Sequence, residues 1–448
     1  MFPLKEVLKA VQGQWIFGDR QRQAIGVSTD SRTLRAGDLF IALKGDKFDG
    51  HCFLKEVVQK GAAALVISDE KEASGLGHVP IIVVSDTRRA LGDLAHWHRQ
   101  GFLGPVIAVT GSCGKTSTKE MIASILATRG PVLKSEGTQN NEIGVPWTLL
   151  RLRPEHWACV LELGMNHLGE IERLAQIALP HIGVITNISS AHLEGVGTLE
   201  QIAQAKCELI KVIGDSGTAI LNGDDQLLMK YAASFSSKKL TFGWSQNCDI
   251  RLPEFTFPSS LSADFQRTNA LAALAVAKLL GIPQEGALSV LSQWTPPKGR
   301  LQIRKGNGFW VIDDTYNANP LSTKVAIQFL RDFQTSGRRI AILADMLELG
   351  ESASLWHWRL GQQSASMGFD RLILLGSFAS DVQMGAIETG MDPQRIRIVK
   401  DHRSIIEFLN GELGSGDVVL VKGSRKMRME EVVDGLFSHV LSSTLPVA

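Results

Sequence analysis

The stretch from Val106 to Ser117 is an apolar run followed by a glycine-containing turn that ends in a lysine and a threonine. It reads Val-Ile-Ala-Val-Thr-Gly-Ser-Cys-Gly-Lys-Thr-Ser. Glycines in such a turn let backbone N–H groups point into a concavity at a helix N-terminus, where the helix dipole favours phosphate oxygens. A lysine adds positive charge, and a threonine hydroxyl can ligate Mg²⁺. We therefore predict a nucleoside triphosphate site formed by Gly111, Ser112, Cys113, Gly114, Lys115, Thr116 and Ser117.

This loop is shorter than the usual phosphate loop. The usual pattern has a glycine five positions before the glycine of Gly-Lys-Thr, and here that position is Val109. The loop is therefore Gly-x-x-Gly-Lys-Thr. The helix predicted after it ends near Gly130 and carries four apolar residues on one side, Met121, Ile122, Ile125 and Leu126.

Other polar residues end apolar runs, where ligands of open parallel sheets bind. Glu162 follows Cys159-Val-Leu161 and can complete a Mg²⁺ shell, although a buried glutamate held by backbone donors is the alternative. Asn187 and His192 follow the next run, and His192 equally suits a surface or capping role. Lys206, within a predicted helix, is by composition a solvated lysine.

Two clusters in the last third of the chain have the same strand-end character. Asp313-Asp-Thr-Tyr-Asn-Ala-Asn-Pro320 combines two carboxylates, two amides and a proline, which favours a site over a simple turn. Lys422-Gly-Ser-Arg425 offers two cations and a hydroxyl to an anionic substrate, with a basic turn as the alternative. Polar clusters on separate domains predict substrates that meet in a cleft closed by domain movement, as in group transfer or ligation.

The elements that must position these residues form three units. The 448 residues exceed what one core usually serves, and we predict domains at 1–102, 103–297 and 298–448, with the last two joined by Trp294-Thr-Pro-Pro-Lys-Gly299. Apolar runs predict strands at 40–43, 63–67, 81–84, 106–109, 158–163, 182–186, 218–221, 309–312, 340–343, 372–375 and 418–421. Helices are predicted at 53–60, 199–213 and 268–280. This alternation predicts an α/β fold with a small N-terminal module, a central parallel-sheet domain of ATPase type and a Rossmann-like C-terminal domain.

Composition narrows the functional class. The 47 basic and 46 acidic residues are balanced, so we expect neither nucleic acid nor an anionic membrane as a partner. The five cysteines lack metal or disulfide spacing, which fits a reducing compartment. The N-terminal residues do not resemble an export signal, and no apolar segment of 18 residues occurs. We expect a cytoplasmic monomer.

Taken together, these residues resemble the Mur ligase family of peptidoglycan synthesis over nearly the whole chain. The motifs that carry the resemblance are Thr29-Asp-Ser-Arg32, Gly37-Asp-Leu-Phe40, Asp49-Gly-His51, the phosphate loop, Asn140-Asn-Glu-Ile-Gly-Val-Pro146, Glu162-Leu-Gly-Met-Asn166, Thr186-Asn187 with His192, Asp314-Thr-Tyr-Asn-Ala-Asn-Pro320, Asp345-Met-Leu-Glu-Leu-Gly350, His357 and Lys422-Gly-Ser424. The resemblance implies an ATP-dependent amide ligase that joins D-alanyl-D-alanine to UDP-N-acetylmuramoyl-tripeptide through an acyl phosphate. It also implies a UDP-sugar-binding first domain.

The resemblance assigns roles residue by residue. Lys115 would hold phosphates, Thr116 and Glu162 one Mg²⁺, and His192 a second. Lys206 would be carbamylated by CO₂ to support the second Mg²⁺, which reverses its interpretation as a solvated lysine. Asn269, Arg300 and Asp314 would contact ATP. Substrates would meet Ser31, Arg32, Asn140, Asn141, Tyr316, Asn317, Asn319, Lys422 and Ser424.

The sequence departs from the family pattern at Phe265-Gln266, where the family is expected to have His-Asn near the adenine. Three alternatives to the dipeptide-adding activity remain. The ligase that adds the third peptide residue is disfavoured because its Asp-Asn-Pro-Arg motif is absent. Folylpolyglutamate synthase is disfavoured by the Thr29 to His51 module. A nucleotide-dependent binding protein that does not ligate would have no need for a carbamylated lysine.

Overall fold

Three main sheets, one in each predicted domain, organise the computed structural model of this protein. The structure describes residues 1–45, 48–137, 139–189, 197–252, 255–258, 261 and 263–442, with side chains up to residue 438. Helices alternate with mostly parallel strands in all three parts. The predicted α/β class is confirmed.

The first domain contains a five-stranded sheet and, besides it, two antiparallel pairs of short strands. The strands of the domain are β1 (Phe2–Pro3), β2 (Gln14–Phe17), β3 (Gln23–Ala24), β4 (Gly26–Ser28), β5 (Asp38–Ile41), β6 (Lys44–Gly45), β7 (Phe48–Asp49), β8 (Ala64–Ile67) and β9 (Ile81–Val83). Its helices are α1 (Leu4–Ala10), α2 (Leu54–Gln59) and α3 (Thr87–Gln100). The sheet order is β2-β9-β8-β5-β4, with β2 antiparallel at one edge. β5 begins two residues before the predicted run, at Asp38, whose carboxylate accepts from the Arg35 amide.

The central domain contains a seven-stranded, wholly parallel sheet in the order β11-β12-β10-β13-β14-β15-β16. The strands are β10 (Val106–Thr110), β11 (Val132–Lys134), β12 (Ala158–Glu162), β13 (Ile182–Ile185), β14 (Thr218–Asn222), β15 (Lys238–Gly243) and β16 (Ile250–Arg251). The helices are α4 (Lys115–Leu126), α5 (Gly144–Leu149), α6 (Glu170–Ala178), α7 (Leu199–Ile213), α8 (Gln226–Ala232), α9 (Asp264–Leu279) and α10 (Gln284–Ser292).

Helices cover both faces of the central sheet, which explains why its strands are continuous apolar runs. On one face, α4 and α9 pack together through residues such as Met121 and Leu274. On the other face the apolar core continues into the first domain, where Leu94 of α3 and Leu174 of α6 belong to one cluster. α9 begins a turn before the predicted residue 268, because the Gln266 side chain accepts from the Ala263 amide and caps the helix.

The third domain contains a six-stranded sheet in the order β17-β18-β22-β19-β20-β21, parallel except at β17. Its strands are β17 (Gln302–Lys305), β18 (Trp310–Asp314), β19 (Arg339–Ala344), β20 (Arg371–Leu375), β21 (Ile396–Val399) and β22 (Val418–Lys422). Its helices are α11 (Pro320–Asp332), α12 (Ala353–Ser366), α13 (Ala379–Glu388), α14 (His402–Asn410) and α15 (Glu430–Ser442). The segment 294–299 is neither helix nor strand.

Candidate active site

The loop between β10 and α4 has the backbone shape expected of a phosphate cradle. Gly114 caps α4 with φ +82°, a left-handed conformation that glycine adopts without strain. A Cβ at Gly114 would lie 2.5 Å from Oδ1 of Asn269, and one at Gly111 would lie 1.9 Å from Oγ1 of Thr186. Side chains of neighbouring elements therefore approach the loop too closely for any residue except glycine.

Residues after β13 hold this loop in place. Oδ1 of Asn187 accepts from the Cys113 amide, and Nδ2 of Asn187 donates to the Cys113 carbonyl, both over 3.0 Å. Oγ of Ser112 accepts from the Ser189 amide over 2.8 Å and donates to the Ser189 carbonyl over 3.0 Å. Asn187, singled out from the sequence as a strand-end residue, therefore acts on the loop itself.

Lys115, Thr116 and Glu162 lie together at the start of α4. Nζ of Lys115 donates to the Gly111 carbonyl over 2.8 Å, and burial lowers the pKa of this ammonium group. Oγ1 of Thr116 donates to Oε2 of Glu162 over 2.8 Å. Parallel pairing of β10 with β12 brings Glu162, at the end of its strand, beside Val109 and hence beside the loop. The structure therefore places two oxygen donors suited to Mg²⁺ next to a lysine.

Asn140 and Asn141 lie beside this group and line the same cleft. Nδ2 of Asn140 donates to Oε1 of Glu162 over 2.9 Å, which leaves both carboxylate oxygens engaged. Oδ1 of Asn141 accepts from the amide of Gly144 over 2.9 Å, at the start of α5. In this structure Nδ2 of Asn140 positions the Glu162 carboxylate and Oδ1 of Asn141 holds the start of α5.

Lys206 is buried in α7 and is only 2% exposed. Within the described residues it forms no hydrogen bond or ion pair. Burial lowers the pKa of its amine well below the ordinary value, and the positive charge of Lys115 lowers it further. The composition-based interpretation as a solvated lysine is therefore wrong, because the side chain points inward near the phosphate loop.

Arg300 brings the third domain to the phosphate loop. Its Nη2 donates to Oγ1 of Thr116 over 3.1 Å, and its guanidinium lies 3.6 Å from the centroid of the Tyr316 ring. Burial raises the pKa of the Tyr316 hydroxyl. Arg300 thus contacts the predicted Mg²⁺ ligand from the opposite side of the cleft.

Asp314 and Lys422 form a buried ion pair at the ends of β18 and β22. Oδ1 of Asp314 also accepts from the Leu301 amide over 3.0 Å, and Nζ of Lys422 donates to the Asn317 carbonyl over 2.9 Å. Both side chains line the cleft. Their charges are largely neutralised by each other.

The other predicted substrate residues of the third domain are also engaged. Oδ1 of Asn319 accepts from the Ser322 amide and caps α11. Oδ1 of Asn317 accepts from the Arg425 amide over 3.3 Å. Oγ of Ser424 accepts from the Leu347 amide over 2.8 Å, and this serine does not line the cleft. These contacts fix the loops around the site.

The cleft lining does not include the predicted residues Ser31, Arg32, Gly111, Lys206 and Ser424, and one further predicted residue lies outside the described part of the chain. Ser31 and Arg32 are in the first domain, where Arg32 forms an ion pair with Asp30 over 2.6 Å and lowers the pKa of that carboxyl to about 2. Neither residue lines the cleft between the other two domains. His192 lies outside the described residues. Among the described ones, no group of three or more His, Cys, Asp or Glu side chains is placed to hold a metal ion.

Phe265 lines the cleft and contacts the third domain, which the sequence did not predict. Its ring lines the cleft with Asn269, one helical turn later on α9, and meets the ring of Phe329 edge-on at a centroid distance of 6.1 Å. Phe329 belongs to α11 of the third domain. The departure at Phe265-Gln266 was visible in the sequence, but no local pattern indicated a contact across the cleft.

The cleft encloses about 260 Å³ and combines these groups. Its central-domain wall carries the phosphate loop, Glu162 and Asn269, and its third-domain wall carries Arg300, Asp314 and Tyr316. Such a site can bind a triphosphate and a cation, neutralise charge on a transferred phosphoryl group and exclude water. No helix in the described part of the chain has the length and apolar character needed to cross a membrane.

Family models and relatives of known function match this chain along most of its length. The family model "Mur ligase middle domain" matches residues 109–277, "Mur ligase, glutamate ligase domain" matches 299–425, and "Mur ligase family, catalytic domain" matches 24–99. A UDP-N-acetylmuramoyl-tripeptide–D-alanyl-D-alanine ligase from Synechocystis is 37% identical over 424 residues, which cover 92% of each chain.

Two solved structures extend this similarity to three dimensions. The crystal structure of MurF from Acinetobacter baumannii has a TM-score of 0.87 at 32% identity and covers 98% of this chain and 99% of its own. MurF ligase from Thermotoga maritima in complex with ADP has a TM-score of 0.83 at 29% identity and covers 94% and 99%.

Proposed function

The chain belongs to the Mur ligase family, and on that premise we propose that it is the ATP-dependent ligase that joins D-alanyl-D-alanine to UDP-N-acetylmuramoyl-tripeptide in peptidoglycan precursor synthesis. The products are UDP-N-acetylmuramoyl-pentapeptide, ADP and phosphate. The observation that carries this proposal is the contact between Arg300 and Thr116, because it joins the third domain to a phosphate loop in one cleft.

The phosphate loop would bind ATP. The first backbone amides of α4, which have no side-chain cap, would donate to the triphosphate, and Lys115, which contacts the loop at Gly111, would neutralise part of its charge. Asn269 and Phe265 lie on one face of α9, where an amide and an aromatic ring are available to the base. The side chain of Gln266 caps the start of its own helix and so has a structural role.

The donor set fits Mg²⁺. Thr116 and Glu162 would hold one ion through oxygen atoms that already lie 2.8 Å apart, and the remaining positions suit phosphate oxygens and water. His192 and Lys206 would support a second ion. Bound Mg²⁺ supplies positive charge that offsets the charge spread over a phosphoryl group during its transfer.

Lys206 also fits its proposed modification. An amine that is buried, unpaired among the described residues and lowered in pKa is more often neutral, and only the neutral amine adds to CO₂. Addition forms an N–C bond and releases one proton, which gives a carbamate with oxygen donors. The added negative charge would also balance the positive charge of Lys115.

The reaction then requires two displacements in one dry cleft. The terminal carboxylate of the tripeptide attacks the γ-phosphate of ATP and releases ADP, which gives the acyl phosphate. The dipeptide amine then attacks the acyl carbon, loses a proton and displaces phosphate, which gives the amide. Arg300 of the third domain lies beside the phosphate loop, where its positive charge would offset the negative charge on the transferring phosphoryl group. Asn140 orients Glu162, and the Asp314–Lys422 pair holds the opposite wall. Closure excludes water, which would otherwise hydrolyse the intermediate.

The first domain would bind the UDP end of the tripeptide substrate through Ser31 and Arg32, remote from the chemistry. We propose that the active unit is a monomer whose own central and third domains supply both walls of the cleft. One substrate is a nucleotide-linked precursor, and we propose that the reaction takes place in the cytoplasm.

The main alternative from another class is a nucleotide-dependent binding protein that does not ligate. Phosphate release separates the two. The ligase should release phosphate from ATP and Mg²⁺ only when UDP-N-acetylmuramoyl-tripeptide and D-alanyl-D-alanine are both present, with one phosphate for each pentapeptide formed. Phosphate release that does not depend on D-alanyl-D-alanine would contradict the proposal.

A further inference from the structure

Lys119 on α4 is fully buried, one helical turn after Lys115 of the phosphate loop. Its Nζ donates a hydrogen bond to the Ser135 carbonyl over 2.6 Å and forms an ion pair with Oε1 of Glu120 over 2.8 Å. A lysine is seldom fully buried unless its charge is paired and its donors are used. Glu120 pairs the charge of Lys119, and the bond to Ser135 leads toward the proposed Mg²⁺ site.

Ser135 marks the point where the pairing of β11 with β12 changes. The register of the two strands ends with Lys134 opposite Val160, and the Ser135 amide still donates to the Val160 carbonyl over 3.1 Å. In a regular parallel ladder the next bond would join the Glu162 amide to the Ser135 carbonyl. Here the Glu162 amide donates to Oγ of Ser135 over 3.1 Å, and the carbonyl accepts from Lys119. Lys119 thus takes the acceptor that would continue the sheet.

This exchange of partners turns the chain after Ser135 into a loop that returns to Glu162. Nδ2 of Asn140, five residues later, donates to Oε1 of Glu162 over 2.9 Å, and the Asn140 carbonyl accepts from the Gly164 amide over 2.8 Å. A Cβ at Gly164 would lie 2.8 Å from Cγ of Asn140, so the loop and the strand end are in close contact. Glu162 is therefore held at its backbone by Ser135 and at its carboxylate by Asn140.

We propose that Lys119 and Ser135 are positioning residues for Glu162, the proposed Mg²⁺ ligand. This inference rests on the ligase function proposed above and extends its cation site to residues that would not touch the ion. Groups behind a metal ligand orient it, and their loss weakens metal binding. Together the two residues keep Oε2 of Glu162 beside Oγ1 of Thr116, the other proposed ligand, at 2.8 Å.

Lys119 acts through the direction of its hydrogen bond and not through net charge. Burial alone would raise the pKa of Glu120, but hydrogen bonds from Lys119 and Lys134 hold that pKa below its ordinary value. The Glu120 carboxylate is therefore ionised and offsets the positive charge of Lys119. The contribution that remains is the bond to the Ser135 carbonyl, which has a fixed direction.

Binding of Mn²⁺, a spectroscopic substitute for Mg²⁺, tests this role without requiring ligation. Electron paramagnetic resonance of the full-length protein with ADP gives Kd for Mn²⁺. Lys119→Met and Ser135→Ala should each raise this Kd about 10-fold, the lower end of the range for groups behind a metal ligand. Kd for ADP in the absence of divalent cations should remain that of wild type, because neither residue belongs to the phosphate loop.

Lys134→Met is the matched control, because Lys134 pairs with Oε2 of the same Glu120 carboxylate. It removes a positive charge beside Glu120, as Lys119→Met does, but leaves the bond between Lys119 and Ser135 in place. Kd for Mn²⁺ should therefore stay at the wild-type value. Equal weakening of Mn²⁺ binding by Lys134→Met and Lys119→Met would assign the effect to charge and overturn the proposal.

The double variant tests whether the two residues act as one unit. Both effects pass through Ser135, so Lys119→Met/Ser135→Ala should bind Mn²⁺ about as weakly as the weaker of the single variants. Multiplied effects would show two separate causes and overturn the proposal.

Urea denaturation separates this role from a purely structural one. Ser135→Ala removes a single oxygen and carries the test alone if Lys119→Met does not fold. A wild-type Kd for Mn²⁺ in the folded variants would overturn the proposal, whatever their stability. Wild-type protein that makes no pentapeptide would overturn the proposed function, whereas the Mn²⁺ measurements decide the role of Lys119 and Ser135 in either case.

Discussion

Nη2 of Arg300 donates a hydrogen bond to Oγ1 of Thr116 over 3.1 Å, from the first residues of the third domain to the phosphate loop of the central domain. The same guanidinium stacks on Tyr316, and its Nε is buried without a partner among the described residues. An unsatisfied buried donor beside the phosphate loop is suited to an anionic oxygen. The third domain thus completes the proposed ATP site.

Replacement of this guanidinium should impair chemistry more than binding. Arg300→Lys keeps the charge but loses the planar donor pair and the stacking on Tyr316. We expect kcat to fall about 10- to 100-fold, the range of 1.5–3 kcal/mol for a charged hydrogen bond. The control is Arg304→Lys, whose side chain pairs with Asp434 away from the cleft. Wild-type kcat in Arg300→Lys would contradict this role.

Phe265 and Phe329 should be coupled across the cleft. Their edge-on contact joins the nucleotide wall to α11, so it forms only when the two domains approach. In a double-mutant cycle of alanine variants read out as KM for ATP, we expect a coupling of about 0.5–1.5 kcal/mol. Phe309 and Phe437 have the same 6.1 Å centroid distance within the third domain and are the control pair. Equal coupling in both pairs would rule out a role in closure.

Lys206→Met should stabilise the fold while it abolishes ligation. Removal of a buried, unpaired amine should raise the free energy of unfolding by about 1–3 kcal/mol in carbonate-free buffer. The folded-state pKa is depressed, so the unfolded state binds more protons and wild-type stability rises with pH. The gap between variant and wild type should therefore shrink toward pH 10.5, as followed by urea denaturation. A destabilised variant would show that the amine has a partner.

Gly114→Ala should prevent nucleotide binding through a specific clash. The new Cβ would lie 2.5 Å from Oδ1 of Asn269 and displace both the loop and this cleft residue. Gly169 caps α6 with nearly the same backbone, φ +88°, but nothing lies within 4 Å of a Cβ there. Titration with a fluorescent ATP analogue should show loss of binding only in Gly114→Ala. Equal loss in Gly169→Ala would assign the effect to general backbone strain.

Much of this architecture could be predicted from the chain alone. The strand from Val106 and the run around Leu161 are apolar because helices cover both faces of their sheet, so their positions are visible in the sequence. Glu162 and Asp314 could be singled out because they end such strands. These are local signals, and they identified much of the cleft.

The contacts between distant segments could not be predicted in this way. The burial of Lys206 depends on how α7 packs on the sheet, and its composition suggested the opposite. The contact of Phe265 with Phe329 depends on the approach of two domains and joins residues that are 64 positions apart in the chain. The engagement of Asn319 as a helix cap likewise required the geometry of α11.

The most direct test of the central claim is the mass of the product formed from ATP, Mg²⁺, UDP-N-acetylmuramoyl-tripeptide and D-alanyl-D-alanine. UDP-N-acetylmuramoyl-pentapeptide should form only when both substrates are present. The rival pairs, folate with glutamate and the UDP-linked dipeptide precursor with diaminopimelate, should give no product. Ligation of a rival pair, or no pentapeptide from a protein that binds ATP, would show that the chain is not the dipeptide-adding ligase.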